Sequence, residues 1–147
     1  MDLKDFLHLN KMIFTRQSKN LPYTESYVKK LHKACQDHQS SKIFIAVDPE
    51  GRHHAGVYLI WDKESAYYIM GGGDPELRNS GATSLCMWEA IKFASTVSTS
   101  FNFEGSMIEP IESFFRAFGA IQKPYFNITK TNSKLLKIAQ LTKSLLR

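Results

Sequence analysis

The sequence lacks the features that would place it outside the ordinary globular proteins. Its 147 residues include only 2 cysteines, 8 glycines and 5 prolines, without a repeat, so collagen-like and low-complexity classes are excluded. Cys35 and Cys86 fit neither a disulfide nor a metal-site spacing. No apolar run approaches the roughly 18 residues that span a bilayer, and the first ten residues, MDLKDFLHLN, do not resemble a signal peptide. These absences favour a cytoplasmic protein with no membrane span.

The composition is typical of one folded domain. Apolar residues make up 43% of the chain and charged residues 22%, which is a globular and not a disordered composition. A chain of this length buries roughly 70% of its unfolded surface, enough for one core. We therefore predict a single domain over residues 1–147. Its partner could be a second domain of the same kind or a second copy of the chain in a homodimer, and both alternatives stay open.

Acidic residues are absent from the last part of the chain. Residues 113–147 hold seven basic residues and no acid. Such a stretch attracts anions such as phosphates, RNA or a membrane face. The same pattern is also typical of a solvated helix, and both interpretations stay open. The basic residues are Arg116, Lys123, Lys130, Lys134, Lys137, Lys143 and Arg147.

The hydrophobic periodicity predicts an order of α α β β β α β α β α. The chain begins with two helical stretches, the second capped by Thr24. The remaining predicted elements are strands at 42–48, 53–61 and 66–70, a helix at about 81–97, a strand at 100–104, a helix at 110–117, a strand at 121–129 and a helix from Ser133. Because Pro124 lies inside the strand at 121–129, we predict that strand to be an edge or bulged one.

The order of these elements also predicts the topology of the sheet. Three strands joined by short polar turns make an antiparallel meander. The helix at 81–97 is a crossover, so the strands at 66–70 and 100–104 should be parallel neighbours. The predicted fold class is therefore α/β, a mixed and mostly antiparallel sheet with one parallel strand pair and helices on both faces.

The first group of candidate functional residues lies between a strand and a helix. Gly71, Gly72 and Gly73 end the strand, and Arg78 to Ala82 begin the helix. Small residues at a helix N-terminus leave N–H groups free for a phosphate, and consecutive glycines let a ligand approach the backbone. The alternative is a flexible loop with an ordinary helix start.

Glu104 is the candidate general base. It follows the alternating Phe101-Asn102-Phe103 at the carboxyl end of a predicted parallel strand, where ligands collect in open α/β sheets. If the carboxylate were partly buried there, it would have a raised pKa and could accept a proton. Alternatively, Glu104 caps the backbone of residues 106–108 or pairs with Arg116.

The next stretch supplies candidate substrate contacts. Arg116 can bind an anion or pair with Glu104. The Tyr125 phenol can offer its proton to a leaving group, although a tyrosine in such a position is more often an ordinary aromatic residue of a strand. Phe114, Phe115 and Phe118 are typical of a core. His53 and His54 are adjacent, so on a strand they point to opposite faces, and we predict no metal site.

This pattern resembles the GNAT acyltransferase superfamily, and most of all its members close to the Fem-type peptidoglycan aminoacyltransferases. The resemblance is carried by AYYIMGGGDPELRNSGATSLCMWEAIKFA and FNFEGSMIEPIESFFRAFGAIQKPYFNI. The stretches TRQSKNLPYTESYVKKL and KIFIAVDPEGRHHAGVYLIW also fit, so the resemblance covers the chain to about Thr131.

The resemblance implies that the two parallel strands splay apart to hold acetyl-CoA or another acyl-CoA. Pantetheine would pair with the backbone of Ile69, Met70, Gly71 and Gly72. The pyrophosphate would meet the loop formed by Arg78, Asn79, Ser80, Gly81, Ala82 and Thr83. It further implies Glu104 as the base and substrate contacts from Ser106, Arg116 and Tyr125.

The sequence departs from the family pattern at two positions. The phosphate loop of the superfamily reads Arg/Gln-x-x-Gly-x-Gly/Ala; Arg78 and Gly81 match, whereas Thr83 occupies the last position. Many members carry a tyrosine in the short helix before Gly-Phe to protonate the thiolate. Here Phe115 occupies that place, and a phenyl ring has no proton to donate.

Three hypotheses about function follow. The leading one is acyl transfer from acyl-CoA to a small or peptidic amine. The second is Fem-like transfer from aminoacyl-tRNA, which the basic C-terminal stretch favours. The third is a domain that keeps the fold and only binds, which the two departures favour, because fold resemblance alone does not establish activity.

Overall fold

The computed structural model describes residues 2–126, 128–136 and 141–142. The elements whose bounds are defined are four α-helices, four strands and one 3₁₀ turn. In chain order they are α1 (Leu3–Arg16), α2 (Glu25–Asp37), β1 (Ser41–Val47), β2 (His53–Trp61), β3 (Ser65–Gly73), the 3₁₀ turn (Arg78–Ser80), α3 (Ala82–Ala94), β4 (Ser100–Asn102) and α4 (Glu109–Arg116). The predicted order of elements is confirmed as far as α4.

The four strands form one sheet in the order β1-β2-β3-β4. β1 and β2 are antiparallel, as are β2 and β3, because short turns join them. α3 carries the chain across the sheet, and β4 consequently pairs with β3 in parallel. The predicted mixed sheet with one parallel pair is confirmed.

The two faces of β2 belong to different helices. Tyr58 is fully buried and its ring lies 5.8 Å from that of Phe6 on α1. Val57 and Leu59 point the other way and pack into clusters with the buried face of α3. This alternation follows from the two-residue period of a strand, and it places α1 and α3 on opposite faces of the sheet, as predicted.

A bulge interrupts the pairing of β3. Tyr58 is opposite Met70 and Leu59 is opposite Tyr68, which leaves Ile69 without a partner on β2. One extra residue inverts the side-chain alternation beyond it. Tyr68 therefore points to the α3 face before the bulge, where its ring contacts Phe115 of α4, while Gly72 faces α1 after it.

The predicted strand at 121–129 is wrong. Residues 121–126 and 128–129 form no strand, and the side chains of Ile121, Tyr125 and Ile128 are at least 85% exposed. Two physical reasons apply. Pro124 has no N–H for a ladder, and β4 is three residues long, which offers a new strand little to pair with.

The predicted C-terminal helix is only partly covered by the described residues. Residues 134–136 and 141–142 are helical, and Ser133 Oγ accepts a hydrogen bond from Leu136 N–H at 3.4 Å. The remainder of that prediction, with the basic residues Lys137, Lys143 and Arg147, lies outside the described residues.

Candidate functional site

The site predicted from the sequence lies where β3 and β4 part. The two strands pair through only three residue pairs, from Ser65 opposite Ser100 to Tyr67 opposite Asn102. β4 then ends, whereas β3 continues to Gly73. From Tyr68 onward the edge of β3 that faced β4 has no strand beside it in the described part of the chain. This is the position where the resemblance places pantetheine.

Aromatic side chains close one face of this opening. Phe103, the first residue after β4, lies 4.9 Å from Phe115 between ring centroids, and Tyr68 lies 5.9 Å from Phe115 on the other side. Phe114 and Phe118 extend the same cluster. The prediction that the three phenylalanines of this region are core is confirmed: Phe115 is buried and the other two are half-buried.

Helix α1 closes the other face. Asn10 is 4% exposed, and its Nδ2 donates to the Gly71 carbonyl at 2.6 Å. The Asn10 Oδ1 accepts a hydrogen bond from the Tyr23 hydroxyl. A Cβ atom on Gly72 would lie 2.7 Å from the Asn10 backbone nitrogen and 2.9 Å from Leu9 Cβ. Glycine is thus required at 72 for α1 to pack on the strand.

These contacts modify the prediction for Ile69 to Gly72. Ile69 at the bulge is 37% exposed, and Met70 and Gly71 are half-buried. Gly72 is buried under α1, and the carbonyl of Gly71 already has a hydrogen-bond partner. The accessible part of the predicted stretch is therefore centred on Ile69 and Met70 rather than on the glycines.

The predicted phosphate loop precedes α3 directly. The 3₁₀ turn of Arg78–Ser80 leads into Gly81, whose φ of 76° is in the left-handed region that glycine adopts without strain. Helix α3 then begins at Ala82 with no acidic residue in its first turn. Its first N–H groups have no helical acceptor, and Arg78, Asn79, Ser80, Gly81 and Thr83 are exposed, whereas Ala82 is buried. An anion can reach this end of α3.

Glu104 lies just beyond the carboxyl end of β4. Its Oε1 accepts from Asn102 Nδ2 at 2.7 Å, and its own N–H donates to Asn102 Oδ1 at 2.8 Å. Glu104 has a φ of 59°, an uncommon value for a residue with a side chain. The carboxylate is exposed and not partly buried. Its partner is Asn102, so the two alternatives, a cap on residues 106–108 and a pair with Arg116, are both wrong.

In the ranges that the structure describes, no contact brings the three predicted substrate residues, Ser106, Arg116 and Tyr125, to Glu104. Arg116 pairs with Glu112 one helical turn away at 2.8 Å. Ser106 Oγ accepts from the Ile108 N–H at 3.0 Å, just before α4 begins. The Tyr125 side chain is 89% exposed.

Two polar residues at the site were missed by the reasoning from sequence. Asn10 lies within the apolar stripe of α1, and a polar residue in such a stripe is the signal that could have identified it. The Tyr68 hydroxyl lies so close to Gly71 that a Cβ atom there would be 2.1 Å from it. Burial raises the pKa of Tyr68 to about 12, so this hydroxyl keeps its proton at neutral pH.

Among the described residues, no group of three or more His, Cys, Asp or Glu side chains is placed to hold a metal ion. Within that same part of the chain, no helix has both the length and the apolar character needed to cross a bilayer.

Solved structures share this fold. An acetyltransferase of provisional assignment from Agrobacterium tumefaciens superimposes with a TM-score of 0.66 at 16% identity, over 88% of this chain and 96% of that one. Glucosamine-6-phosphate N-acetyltransferase from Arabidopsis thaliana gives a TM-score of 0.60 at 10% identity, over 90% and 95%. An aminoglycoside 6′-N-acetyltransferase from Acinetobacter haemolyticus gives 0.61 at 14%, over 89% and 92%. At these identities the similarity shows the fold alone.

Sequence comparison identifies the family. No protein with a curated description matches the sequence significantly. The family model of the acetyltransferase (GNAT) domain matches residues 2–101, which includes all of the sheet except the last residue of β4. Neither this model nor the structural neighbours support the Fem-type subgroup. The chain belongs to the acetyltransferase (GNAT) domain family.

Proposed function

We propose that this protein transfers an acetyl group from acetyl-CoA to a primary amine, with the acyl donor lying along β3. The observation that carries the proposal is the parting of β3 and β4 after three residue pairs, beyond which the open edge of β3 runs to Gly73 and the loop that leads into the exposed N-terminus of α3. An extended pantetheine can pair with the open edge of a strand, and a pyrophosphate can lie at a helix N-terminus. Acetyl transfer also agrees with the matched family.

The proposed mechanism is direct attack of the amine on the thioester. A neutral amine is needed, and the Glu104 carboxylate is positioned by Asn102 to accept a proton directly or through a water. The negative charge that develops on the carbonyl oxygen would be stabilised by a backbone N–H near Met70 or Gly71. Because no covalent enzyme intermediate is needed, most of the rate would come from placing amine and thioester together.

The first experiment measures CoA binding by calorimetry in a pair of matched variants. Asn79→Asp adds a carboxylate in the predicted phosphate loop without changing the size of the side chain. Gln36→Glu makes the same change on exposed α2. A charge beside a bound pyrophosphate should weaken CoA binding about tenfold or more, or about 1.4 kcal/mol. Equal affinity in both variants and the wild type would place CoA elsewhere and contradict the proposal.

The second experiment tests Glu104 by thiol release from acetyl-CoA with a panel of small amines. Glu104→Gln removes the base while it keeps an oxygen for the Asn102 hydrogen bond. A general base typically contributes about 10²- to 10⁴-fold, so turnover should fall by at least about 10²-fold between pH 6 and 9. Glu89→Gln on α3 is the control. Full turnover of Glu104→Gln over this range would exclude the assigned role.

A further inference from the structure

A chain of three side chains joins the β1–β2 turn to the loop before α3. His54 lies near the start of β2, and its Nε2 is 2.9 Å from Asp48 Oδ2. The other ring nitrogen of His54, Nδ1, is 2.9 Å from Ser80 Oγ. Both are ordinary hydrogen-bond distances. Carboxylate, imidazole and serine hydroxyl are thus in hydrogen-bonded series, although 32 positions of the sequence separate Asp48 from Ser80.

The chemistry of the groups fixes the direction of these hydrogen bonds. An ionised carboxylate only accepts, so the Nε2–H of His54 donates to Asp48. In the neutral imidazole, Nδ1 is then the acceptor, and the Ser80 hydroxyl donates to it. This orients His54 as a base toward the proton of Ser80. In serine hydrolases a carboxylate likewise holds an imidazole in one tautomer so that the ring can deprotonate a serine, with Nε2 toward the serine and Nδ1 toward the carboxylate. Here the two ring nitrogens have exchanged these roles.

Asp48 is itself firmly held in the ionised form. The backbone N–H of Arg52 donates to its Oδ1 at 2.8 Å, and Arg52 Nε donates to its Oδ2 at 2.6 Å. The hydrogen bond from His54, and then those from Arg52, keep the pKa of the Asp48 carboxyl well below its usual range. The side chains of Asp48 and His54 are each only 13% exposed, whereas Ser80 is exposed. The supporting groups are sheltered and the hydroxyl is open to a substrate.

We propose that Ser80 is a nucleophile, with His54 as its general base and Asp48 as the residue that orients His54, and that this site accepts acyl groups from esters or thioesters. The proposal does not depend on amine acetylation. It assigns a second chemistry, acyl-ester hydrolysis, at the N-terminus of α3.

The proposed reaction proceeds in two balanced halves. Ser80 Oγ attacks the acyl carbon while its proton passes to His54 Nδ1; the bond from carbon to the leaving oxygen or sulfur then breaks, and the same proton leaves with it. Water attacks the acyl-serine in the second half, His54 takes its proton, and that proton returns to Ser80 Oγ as the carboxylic acid departs. The sole co-reactant is water, and nothing is oxidised or reduced. Helix α3 begins two residues after Ser80, and its first N–H, that of Ala82, lies 3.4 Å from Ser80 Oγ. The N–H groups of this first turn, which have no helical acceptor, would stabilise the oxyanion.

The experiment uses a biotinylated fluorophosphonate on the full chain, with peptide mapping by mass spectrometry. A reactive serine displaces fluoride from this probe and keeps the phosphonyl group. We expect one label per chain, on Ser80. Ser80→Ala should abolish it. Ser84→Ala is the matched control, because Ser84 is an exposed serine on the first turn of the same helix and should leave the labelling rate at the wild-type value.

The supporting residues give the second measurement. General-base assistance is typically worth about 10²- to 10⁴-fold, so His54→Ala and His54→Gln should each slow labelling by at least about 10²-fold, and Asp48→Asn should also slow it. Thermal unfolding of each variant identifies any that fail to fold. If the His54 variants fail to fold, Ser80→Ala still tests the proposal, because Ser80 is at an exposed position. Hydrolysis of p-nitrophenyl acetate should fall in parallel.

Two results would overturn the proposal. One is a wild-type chain that is not labelled, or is labelled at a serine other than Ser80. The other is a labelling rate that His54→Ala leaves unchanged in a folded protein. In that case the three side chains would only be a structural hydrogen-bond network between the turn and the loop. CoA added before the probe should slow labelling if it lies on the same loop. Labelling that CoA does not affect would leave Ser80 as the nucleophile and count against the proposed acetyl donor.

Discussion

The sheet body, residues 2–102, and the C-terminal segment, the described residues from 103 onward, use apolar side chains in opposite ways. Every buried apolar residue but one belongs to the sheet body, and Phe115 is the exception. The C-terminal segment instead exposes large apolar side chains, with Met107 at 98% and Phe126 at 86%. Apolar composition alone therefore does not make a core. In the sheet body, α1 and α3 cover the two faces of the sheet, whereas the segment follows a three-residue strand.

The candidate site lies on the border between these two regions. The bulge of β3 and the loop before α3 come from the sheet body, where α1 and α3 hold them. Glu104 and Ser106 come from the segment and are held by short-range hydrogen bonds to Asn102 and Ile108. The part of the proposed site that would hold the acyl donor is thus positioned by contacts between distant residues. The part that would face the amine acceptor, Glu104 and Ser106, is positioned by hydrogen bonds between near neighbours in the sequence.

The largest effect should come from the centre of the sheet body. The side chain of Phe6, on α1, is fully buried and packs on Tyr58 of β2. A phenylalanine-to-alanine change at such a site costs about 3–5 kcal/mol. We expect Phe6→Ala to lower the free energy of unfolding by that amount in a urea titration. Tyr27→Ala, at a side chain that is 61% exposed on α2, should stay within about 0.5 kcal/mol. Similar losses in both variants would mean that burial does not set the cost of truncation within the sheet body.

A smaller effect is expected from two neighbouring glycines of β3. In Gly72→Ala the new Cβ would lie 2.7 Å from the Asn10 nitrogen, so α1 must shift. Overpacking of this kind costs about 1–3 kcal/mol. In Gly73→Ala the nearest atom is the His54 carbonyl oxygen at 3.5 Å, an ordinary contact. If urea unfolding gave equal stabilities for the two variants, α1 would not pack on β3 as closely as described.

Alkaline pH should distinguish Tyr68 from Tyr125, the exposed tyrosine of the segment. The pKa of Tyr68 is raised by burial from 10.0 to about 12. Between these values the unfolded chain loses the phenolic proton and the folded chain keeps it, so this contribution is complete below pH 10 and is lost as the pH rises toward 12. By pH 11 the loss of stability from this group should amount to about 1.4 kcal/mol.

The measurement compares urea unfolding at pH 9 and pH 11. The pKa of Tyr58 is also raised to about 12, and that of Tyr23 is raised as well, both mainly by burial. Tyr68→Phe should therefore remove part of the tyrosine-dependent loss of stability, and no more than about half of it. Tyr125→Phe should keep the full wild-type loss. A Tyr68→Phe variant with the wild-type dependence on pH would show that its hydroxyl is not sheltered in the folded protein.

The same contrast explains what could be predicted from the sequence. Elements with a local signal were found, such as α2 with Thr24 accepting from Tyr27 N–H at 3.2 Å, and the crossover rule gave the parallel pair. The strand at 121–129 was predicted from its β-type composition, yet a strand also needs a neighbour. Contacts between distant residues, such as Asn10 with Gly71 and His54 with Ser80, have no local signature. For this reason the site's backbone was predicted better than its side-chain partners.

The smallest effect should come from the exposed apolar residues of the C-terminal segment. Ile121 and Tyr125 are 85% and 89% exposed, so truncation removes almost no buried area and leaves no cavity. Ile121→Ala and Tyr125→Ala should each change the free energy of unfolding by less than about 0.5 kcal/mol. Phe115→Ala, in the same segment but buried against Tyr68 and Phe103, should cost about 3–5 kcal/mol. A loss above about 2 kcal/mol in either exposed variant would mean that these side chains are covered in solution, because truncation of a solvated side chain has no comparable cost.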